Sequence, residues 1–130
     1  SNVTTMNYMF SSSINLASID ISGFDTSNVT DMEGMFYNCN ALTSLDVSRF
    51  DTNNVTTMKD MFSLCAKITT IYASSTFVTT NVTDSEDMFY RSEKIQGGAG
   101  TTYGGSSKVD KTYARIDGGT ASPGYFTAKP

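Results

Sequence analysis

Hydrophobic and polar positions along the chain recur with a period of 26 to 27 residues. The clearest recurring word carries valine, methionine and phenylalanine at fixed places between polar residues. It occurs four times, as NVTTMNYMF, NVTDMEGMF, NVTTMKDMF and NVTDSEDMF, beginning at Asn2, Asn28, Asn54 and Asn81. All seven methionines occupy just two positions of this word. An ordinary globular core has no such periodicity, so the pattern predicts an array of about four tandem structural units.

Each unit divides into two halves with different hydrophobic spacing. In the first half of unit two, Val29, Met32 and Met35 recur every three residues, which predicts a helical or 3₁₀ segment. In the second half, Leu45 and Val47 alternate with polar residues, which predicts a short strand with one buried face. One such unit cannot bury its apolar side alone, whereas stacked units place like side chains over like. We therefore expect a solenoid whose core contains methionine, phenylalanine and leucine ladders.

The period and the strand word L-x-x-L-x-V are typical of leucine-rich repeats. The words N-V-T-x-M-x-x-M-F and C-x-x-L-x-x-L-D-V-S-x-F-D-T, as found in residues 28–52, resemble those of the BspA-like leucine-rich-repeat surface proteins of bacteria, a repeat type also found in bacterial surface lipoproteins. The resemblance covers about residues 2–96. It implies an extracellular protein, secreted or at the bacterial cell surface, with roles in adhesion and in host or community contact.

The fold class that we expect is a leucine-rich-repeat-like solenoid over residues 1–96, with short parallel β-strands on one face and helical or 3₁₀ turns on the other. Unit four departs from the pattern, because Ser85 replaces a methionine and no L-x-V strand follows Ile95. It is therefore predicted to be a terminal unit. The chain starts inside the repeat pattern, and we expect it to be a segment of a longer protein with flanking domains.

The composition changes at about Gly97, because eight of the ten glycines lie beyond residue 96. Apolar alternation over residues 112–116 and 125–127, between Gly-Gly and Pro-Gly turn signals, predicts two short strands. The words GGAGTTY, TYARID and PGYFT also resemble the segment that often follows the repeats in the same family. We expect residues 97–130 to form a Gly-rich, β-containing C-terminal cap packed on the last repeat. The alternative is a flexible linker to another surface domain.

Composition and charge argue against several function classes. The net charge is −4, from 9 basic and 13 acidic side chains without a run of Lys or Arg, so a nucleic-acid partner is not expected. No apolar stretch is long enough to cross a bilayer, so we expect no membrane insertion by this segment. The chain has no histidine, which removes imidazole chemistry. We expect no enzymatic activity, no catalytic residue, no metal and no cofactor.

Cys39 and Cys65 occupy the same position in successive units. In a stacked array they would lie about 5 Å apart, a separation that a disulfide tolerates. The favoured alternative is two buried thiols in a ladder that needs only a small side chain, since Ser13 and Ser92 occupy the equivalent places. Two cysteines without histidine do not complete a tetrahedral zinc site.

Asp20 and Asp46 are also repeat-equivalent and would lie about 5 Å apart on a strand face. That separation suits the two carboxylates of a retaining glycosidase, or a calcium ion that bridges them. Any exposed repeat position shows the same spacing, however, and Tyr72 takes the third place in the row. A solvated polar face is therefore the preferred interpretation. The four N-V-T words match the glycosylation sequon, but we interpret their Asn as a turn residue that bonds neighbouring backbone.

The outward positions of the predicted strands form three polar rows. Rows of hydroxyls, carboxylates and one tyrosine suit a protein or carbohydrate ligand, and solenoids commonly bind partners on an extended face. An ordinary solvated surface is equally compatible with these residues. We expect a cell-surface binding or adhesion module, with a passive structural spacer of a larger surface protein as the alternative. The predicted partner-binding residues are Ser18, Asp20, Ser22, Ser44, Asp46, Ser48, Thr70, Tyr72 and Ser74.

Overall fold

The computed structural model describes residues 4–21, 23–104 and 110–128. In this part of the chain, three short strands form one parallel sheet in the order β1-β2-β3: β1 Ser44–Asp46, β2 Thr70–Ala73 and β3 Phe126–Ala128. Two 3₁₀ helices of three residues each lie between β2 and β3 along the chain: Lys111–Tyr113 and Gly119–Ala121. None of the helices in the described ranges is long and apolar enough to cross a membrane.

Successive repeat units lie side by side, with equivalent residues paired. In the sheet, Leu45 of unit two lies opposite Ile71 of unit three. In the first halves of the units, isolated parallel bridges join equivalent residues of neighbouring units: Thr5 with Asp31, Asp31 with Thr57, and Thr57 with Asp84. The position of a residue in the repeat word therefore determines its neighbour in the next unit.

Backbone N–H groups in the first half of each unit alternate between two kinds of acceptor. Four N–H groups of unit two donate to carbonyls of unit three at 2.8 to 3.1 Å: those of Met32, Gly34, Phe36 and Asn38. The residues between them close turns, as when the N–H of Met35 donates to the carbonyl of Met32. Gly34 and Asn38 both have a φ of +59°, in the left-handed region. The segment is a succession of turns rather than a continuous helix, because a helix would use these N–H groups internally.

The core consists of the apolar positions of the repeat words. Equivalent phenylalanine rings stack with centroids 5.5 to 5.7 Å apart and interplanar angles of 4° to 11°: Phe10, Phe36, Phe62 and Phe89. The methionines of units two and three are completely buried: Met32, Met35, Met58 and Met61. Each such side chain contributes about 1.5–3 kcal/mol when it is fully buried, so stacking of the units stabilises the fold.

The C-terminal segment packs against unit four and extends the sheet. In β3, Phe126 lies opposite Ile71 of β2. Phe126 and Tyr125 are both completely buried, and the Tyr125 ring contacts the edge of the Phe89 ring with centroids 5.0 Å apart. Unit four has no L-x-V word, and β3 supplies the strand that pairs with β2.

Ser85, which replaces a methionine in unit four, contacts the C-terminal segment. The N–H of Lys111 donates to the Ser85 hydroxyl at 3.1 Å. The Lys111 ammonium also donates to the carbonyl of Val82 at 2.6 Å. A polar side chain at this position therefore binds the segment that covers unit four, where a methionine would provide no strong acceptor.

The strand predicted over residues 112–116 is wrong. Lys111–Tyr113 form a 3₁₀ helix, because the Asp110 carboxylate accepts a hydrogen bond from the N–H of Thr112 at 3.0 Å and caps this turn. Only Ile116 in this range forms a β-bridge, and that bridge is isolated. The alternation of apolar residues here reflects burial of a turn against the core, as for Ala114.

Candidate binding surface

One row of polar side chains crosses all three strands of the sheet. Asp46 on β1 lies opposite Tyr72 on β2, and Tyr72 lies opposite Thr127 on β3. All three are half-buried, whereas the alternating Leu45 and Ile71 are buried beneath the sheet. We call Asp46, Tyr72 and Thr127 the polar row. Thr127 is not a predicted binding residue, because its strand lies outside the repeats.

The neighbouring predicted residues flank the polar row. Ser44 pairs with Thr70 at the start of the two strands. Ser48 and Ser74 follow the strand ends, and the Ser74 hydroxyl donates to the carbonyl of Ser48 at 2.7 Å. This hydroxyl is thus engaged by the backbone of the neighbouring unit, and the structure brings six of the nine predicted residues to one face.

The Asp46 carboxylate has a structural role at the end of β1. Its Oδ1 atom accepts a hydrogen bond from the N–H of Ser48 at 2.9 Å. Such an aspartate turn competes with strand pairing and ends the strand at this residue. The bond fixes one oxygen of the carboxylate, so the side chain keeps one orientation beside Tyr72.

A small cleft with a volume of about 50 Å³ opens beside the polar row. Its lining contains two carboxylates, one guanidinium and two apolar side chains: Asp20, Asp46, Arg49, Ile19 and Ile21. This volume holds a few water-sized groups, so it suits one polar substituent of a ligand rather than a whole ligand. Within the described ranges, no group of three or more Cys, Asp or Glu side chains is arranged to hold a metal ion.

The first unit departs from the predicted strand face. Ser18 and Asp20 do not lie on a strand, and Ser22 lies outside the described residues. The Leu16 side chain is 42% exposed, whereas its equivalent Leu42 in unit two is completely buried. The second half of unit one therefore forms no strand in the described residues, and the exposed Asp20 lines the cleft.

Comparison of the sequence with known protein families shows the family of this chain. The family described as "Mycoplasma protein of unknown function, DUF285" has a sequence model that matches residues 1–102. The chain belongs to this family. The match includes all four repeat words and ends before β3. Among the curated proteins and the solved structures compared with the chain, none matches it.

Cys39 and Cys65 of this DUF285 chain are buried free thiols. The Cys39 thiol donates to the carbonyl of Phe10 at 2.9 Å, and the Cys65 thiol to that of Phe36 at 3.2 Å. The hydroxyl of Ser92 makes the equivalent bond in unit four. The position therefore requires a small side chain that can donate a hydrogen bond. Burial raises the pKa of Cys65 to about 12 and also raises that of Cys39, which disfavours the reactive thiolate.

Two buried threonines connect neighbouring units of the DUF285 repeat. The Thr52 hydroxyl donates to the carbonyl of Val78 at 2.7 Å and accepts from its N–H at 2.6 Å. Thr26 makes the same two bonds with Asp51, at 3.1 and 2.8 Å. Neither threonine is a predicted binding residue, although the D-T word recurs in the sequence.

The asparagines of two N-V-T words also bond the neighbouring unit. The side-chain amide of Asn54 donates to the carbonyl of Ser27 at 2.8 Å, and that of Asn81 to the carbonyl of Asn53 at 2.6 Å. The interpretation of these residues as turn residues that bond neighbouring backbone is confirmed. The acceptor belongs to the preceding unit in both cases, so the bond also links the units.

Proposed function

We propose that this DUF285 chain is a leucine-rich-repeat-like solenoid segment of a bacterial cell-surface or secreted protein, and that its sheet face binds a protein or carbohydrate partner. The polar row carries the proposal, because it places a carboxylate, a phenol and a hydroxyl next to one another on adjacent strands. The side-by-side placement of equivalent residues supports the solenoid. The resemblance of the repeat words to the BspA-like family supports the surface location.

The chemistry of the row suits a neutral ligand with many hydroxyl or amide groups. Neighbouring strands are about 4.8 Å apart, so the row offers one polar group at each such step. Tyr72 provides a ring for stacking, Asp46 accepts hydrogen bonds, and Arg49 in the adjacent cleft donates them. The strands and the Asp46 turn hold these groups in place before binding, which lowers the entropic cost of association.

We infer a non-catalytic role for this face. Asp20 and Asp46 line one cleft together with Arg49, which makes the pair the place to test for glycoside hydrolysis. Replacing both aspartates by asparagine abolishes turnover if they act as acid and nucleophile. Glycan hydrolysis by the wild-type protein that is lost in this double variant would contradict the non-catalytic role.

A passive spacer is the second candidate. The backbone hydrogen bonds between successive units favour a spacer. Such ladders of bonds make the repeats a stiff connection between the segments on either side of them. A spacer needs no ligand on the polar row. Substitutions in the row should therefore weaken partner binding if the face is a binding site. They should have no effect on binding if the chain is a spacer.

A glycan and host-matrix protein array tests the proposal. The wild-type protein is compared with a double variant, Asp46→Ala with Tyr72→Ala. The matched control is Asp84→Ala with Tyr37→Ala, which removes the same two side-chain types from the turn half of the units. Binding that is lost in the first variant and kept in the control supports a site on the sheet face. No binding by the folded wild-type protein favours the spacer, and equal loss in both variants would contradict a site on this face.

A further inference from the structure

Unit one presents a row of backbone carbonyls that have no partner in the described part of the chain. Four carbonyls of unit two accept N–H groups of unit one at 2.7 to 2.9 Å: those of Asp31, Glu33, Met35 and Tyr37. The four equivalent carbonyls of unit one belong to Thr5, Asn7, Met9 and Ser11, and no hydrogen bond reaches them within the described ranges. They alternate along the chain, as the acceptors of an open strand edge do.

Apolar side chains lie exposed beside these carbonyls. Met9 is 45% exposed and Leu16 is 42% exposed, whereas the equivalent Met35 and Leu42 of unit two are completely buried. Core positions of the repeat word are therefore uncovered only where no unit packs against them. A face that combines unused acceptors with exposed core side chains is an unfinished interface.

We propose that this face binds one further repeat unit of the same type, positioned N-terminal to unit one. We call the face, formed by Thr5, Asn7, Met9, Ser11 and Leu16, the N-terminal edge. Each unit donates N–H groups to the next unit, so the edge requires a partner with N–H donors at every second residue, a methionine and a phenylalanine among them. The repeat word has this combination. The inference is independent of ligand binding at the polar row.

A second copy of the chain does not fit the N-terminal edge. Two copies related by a two-fold axis would place carbonyl row against carbonyl row, which leaves every acceptor unsatisfied. At the opposite end of the chain the C-terminal segment lies over unit four: the N–H of Arg91 donates to the Tyr103 hydroxyl at 3.0 Å, and Tyr125 packs on Phe89. A head-to-tail contact between two copies would have to displace this segment.

A designed extension tests the proposal. A copy of residues 27–52 placed directly before Ser1 continues the repeat register, because its final Asp-Thr then precedes Ser1 and Asn2 as Asp25 and Thr26 precede Ser27 and Asn28. The control carries the same residues in scrambled order. The denaturant midpoint is measured for both proteins, and the rate of Met9 oxidation by hydrogen peroxide is mapped by mass spectrometry. Buried Met35 is the internal reference.

The proposal requires that the protein with the intact copy unfolds in a single transition with a higher midpoint than the unextended protein. Its Met9 should also be oxidised more slowly, at a rate closer to that of Met35. The scrambled extension should change neither. An intact copy that leaves Met9 oxidation unchanged, or whose own amides exchange as in an unfolded chain, would overturn the proposal. Concentration-dependent protection of Met9 in the unextended protein would also overturn it, since a second copy would then be the occupant. Met9→Glu with Leu16→Glu should abolish the gain in midpoint from the intact copy.

Discussion

The carboxylate of Asp117 accepts two hydrogen bonds from Thr101, one from the backbone N–H at 2.9 Å and one from the hydroxyl at 2.7 Å. It also accepts the N–H groups of Ala99 at 3.0 Å and Gly119 at 2.9 Å. Burial alone raises the pKa of this carboxyl, but the hydrogen bonds outweigh burial and hold the pKa at about 2. Asp117 thereby joins the glycine-rich loop after unit four to the segment that leads to β3.

We expect Asp117→Asn to lower the free energy of unfolding at pH 7 by about 2–3 kcal/mol, because the amide cannot accept all of these bonds. The folded-state pKa lies below the unfolded value of about 3.9, so the carboxylate stabilises the fold above that value. This contribution is lost as the pH falls from about 4 towards 2. Urea unfolding across this range should show the difference between wild type and variant shrinking.

The control for this prediction is Asp110→Asn. Asp110 is exposed and accepts one N–H, that of Thr112, at 3.0 Å. Its substitution should cost less than about 1 kcal/mol. A difference between wild type and Asp117→Asn that stays constant down to pH 2 would contradict the role of the charged carboxylate.

Both cysteines should resist alkylation in the folded protein. Burial is the main cause of the raised pKa of Cys65, about 12, and of the raised pKa of Cys39. Iodoacetamide at pH 8 should therefore label neither thiol until urea unfolds the chain, and then label both without a reductant. Intact mass spectrometry counts the labels. Cys39→Ser keeps a hydrogen-bond donor, as at Ser92, and should accept one label; failure of the unfolded wild type to label would indicate a disulfide.

Tyr8 and Gly34 should be energetically coupled. A Cβ atom at Gly34 would collide with Cε1 of Tyr8, and the φ of Gly34 is +59°. We expect Gly34→Ala to cost about 2 kcal/mol, of which about 1 kcal/mol is left-handed strain that persists without the ring. In a Tyr8→Ala background the same substitution should cost only that strain. A double-mutant cycle by urea unfolding measures the coupling, and additive costs would show that the ring moves aside freely.

The repeat alignment predicts neighbours well wherever a unit contacts another unit. It places Leu45 beside Ile71, and the pairing is observed. It does not predict that Phe126 also lies beside Ile71, because β3 comes from sequence outside the repeats. The role of Asp117 is equally hidden, since most of its donors are backbone N–H groups, which every residue type except proline provides.

The local structure of the repeat word is the other part that the sequence leaves undetermined. Apolar residues three positions apart, such as Met32 and Met35, lie on one face of a helix and also on one face of consecutive turns. The distinction depends on where the backbone N–H groups donate, and only the stacked neighbour determines that. For the polar row, the sequence identifies Asp46 and Tyr72 but not Thr127, which has no repeat-equivalent residue.

The Thr52 hydroxyl should contribute more to the free energy of unfolding than an exposed hydroxyl that also bonds the backbone of a neighbouring unit. Thr52→Val removes both the acceptor for the Val78 N–H and the donor to its carbonyl, so we expect a loss of about 2–3 kcal/mol in the free energy of unfolding. Thr52→Ser keeps the hydroxyl and should cost about 1 kcal/mol or less, the value of the lost methyl group.

The matched control for Thr52→Val is Thr56→Val. The Thr56 hydroxyl donates to the carbonyl of Thr30 at 3.1 Å, and that carbonyl also accepts the Thr56 N–H at 2.9 Å. Because Thr56 is exposed and the carbonyl keeps a partner, its substitution should cost less than about 0.5 kcal/mol. Hydrogen exchange at Val78 should accelerate in Thr52→Val alone. Equal costs for the two valine substitutions would mean that side-chain volume, and not the buried hydrogen bonds, determines the contribution of Thr52.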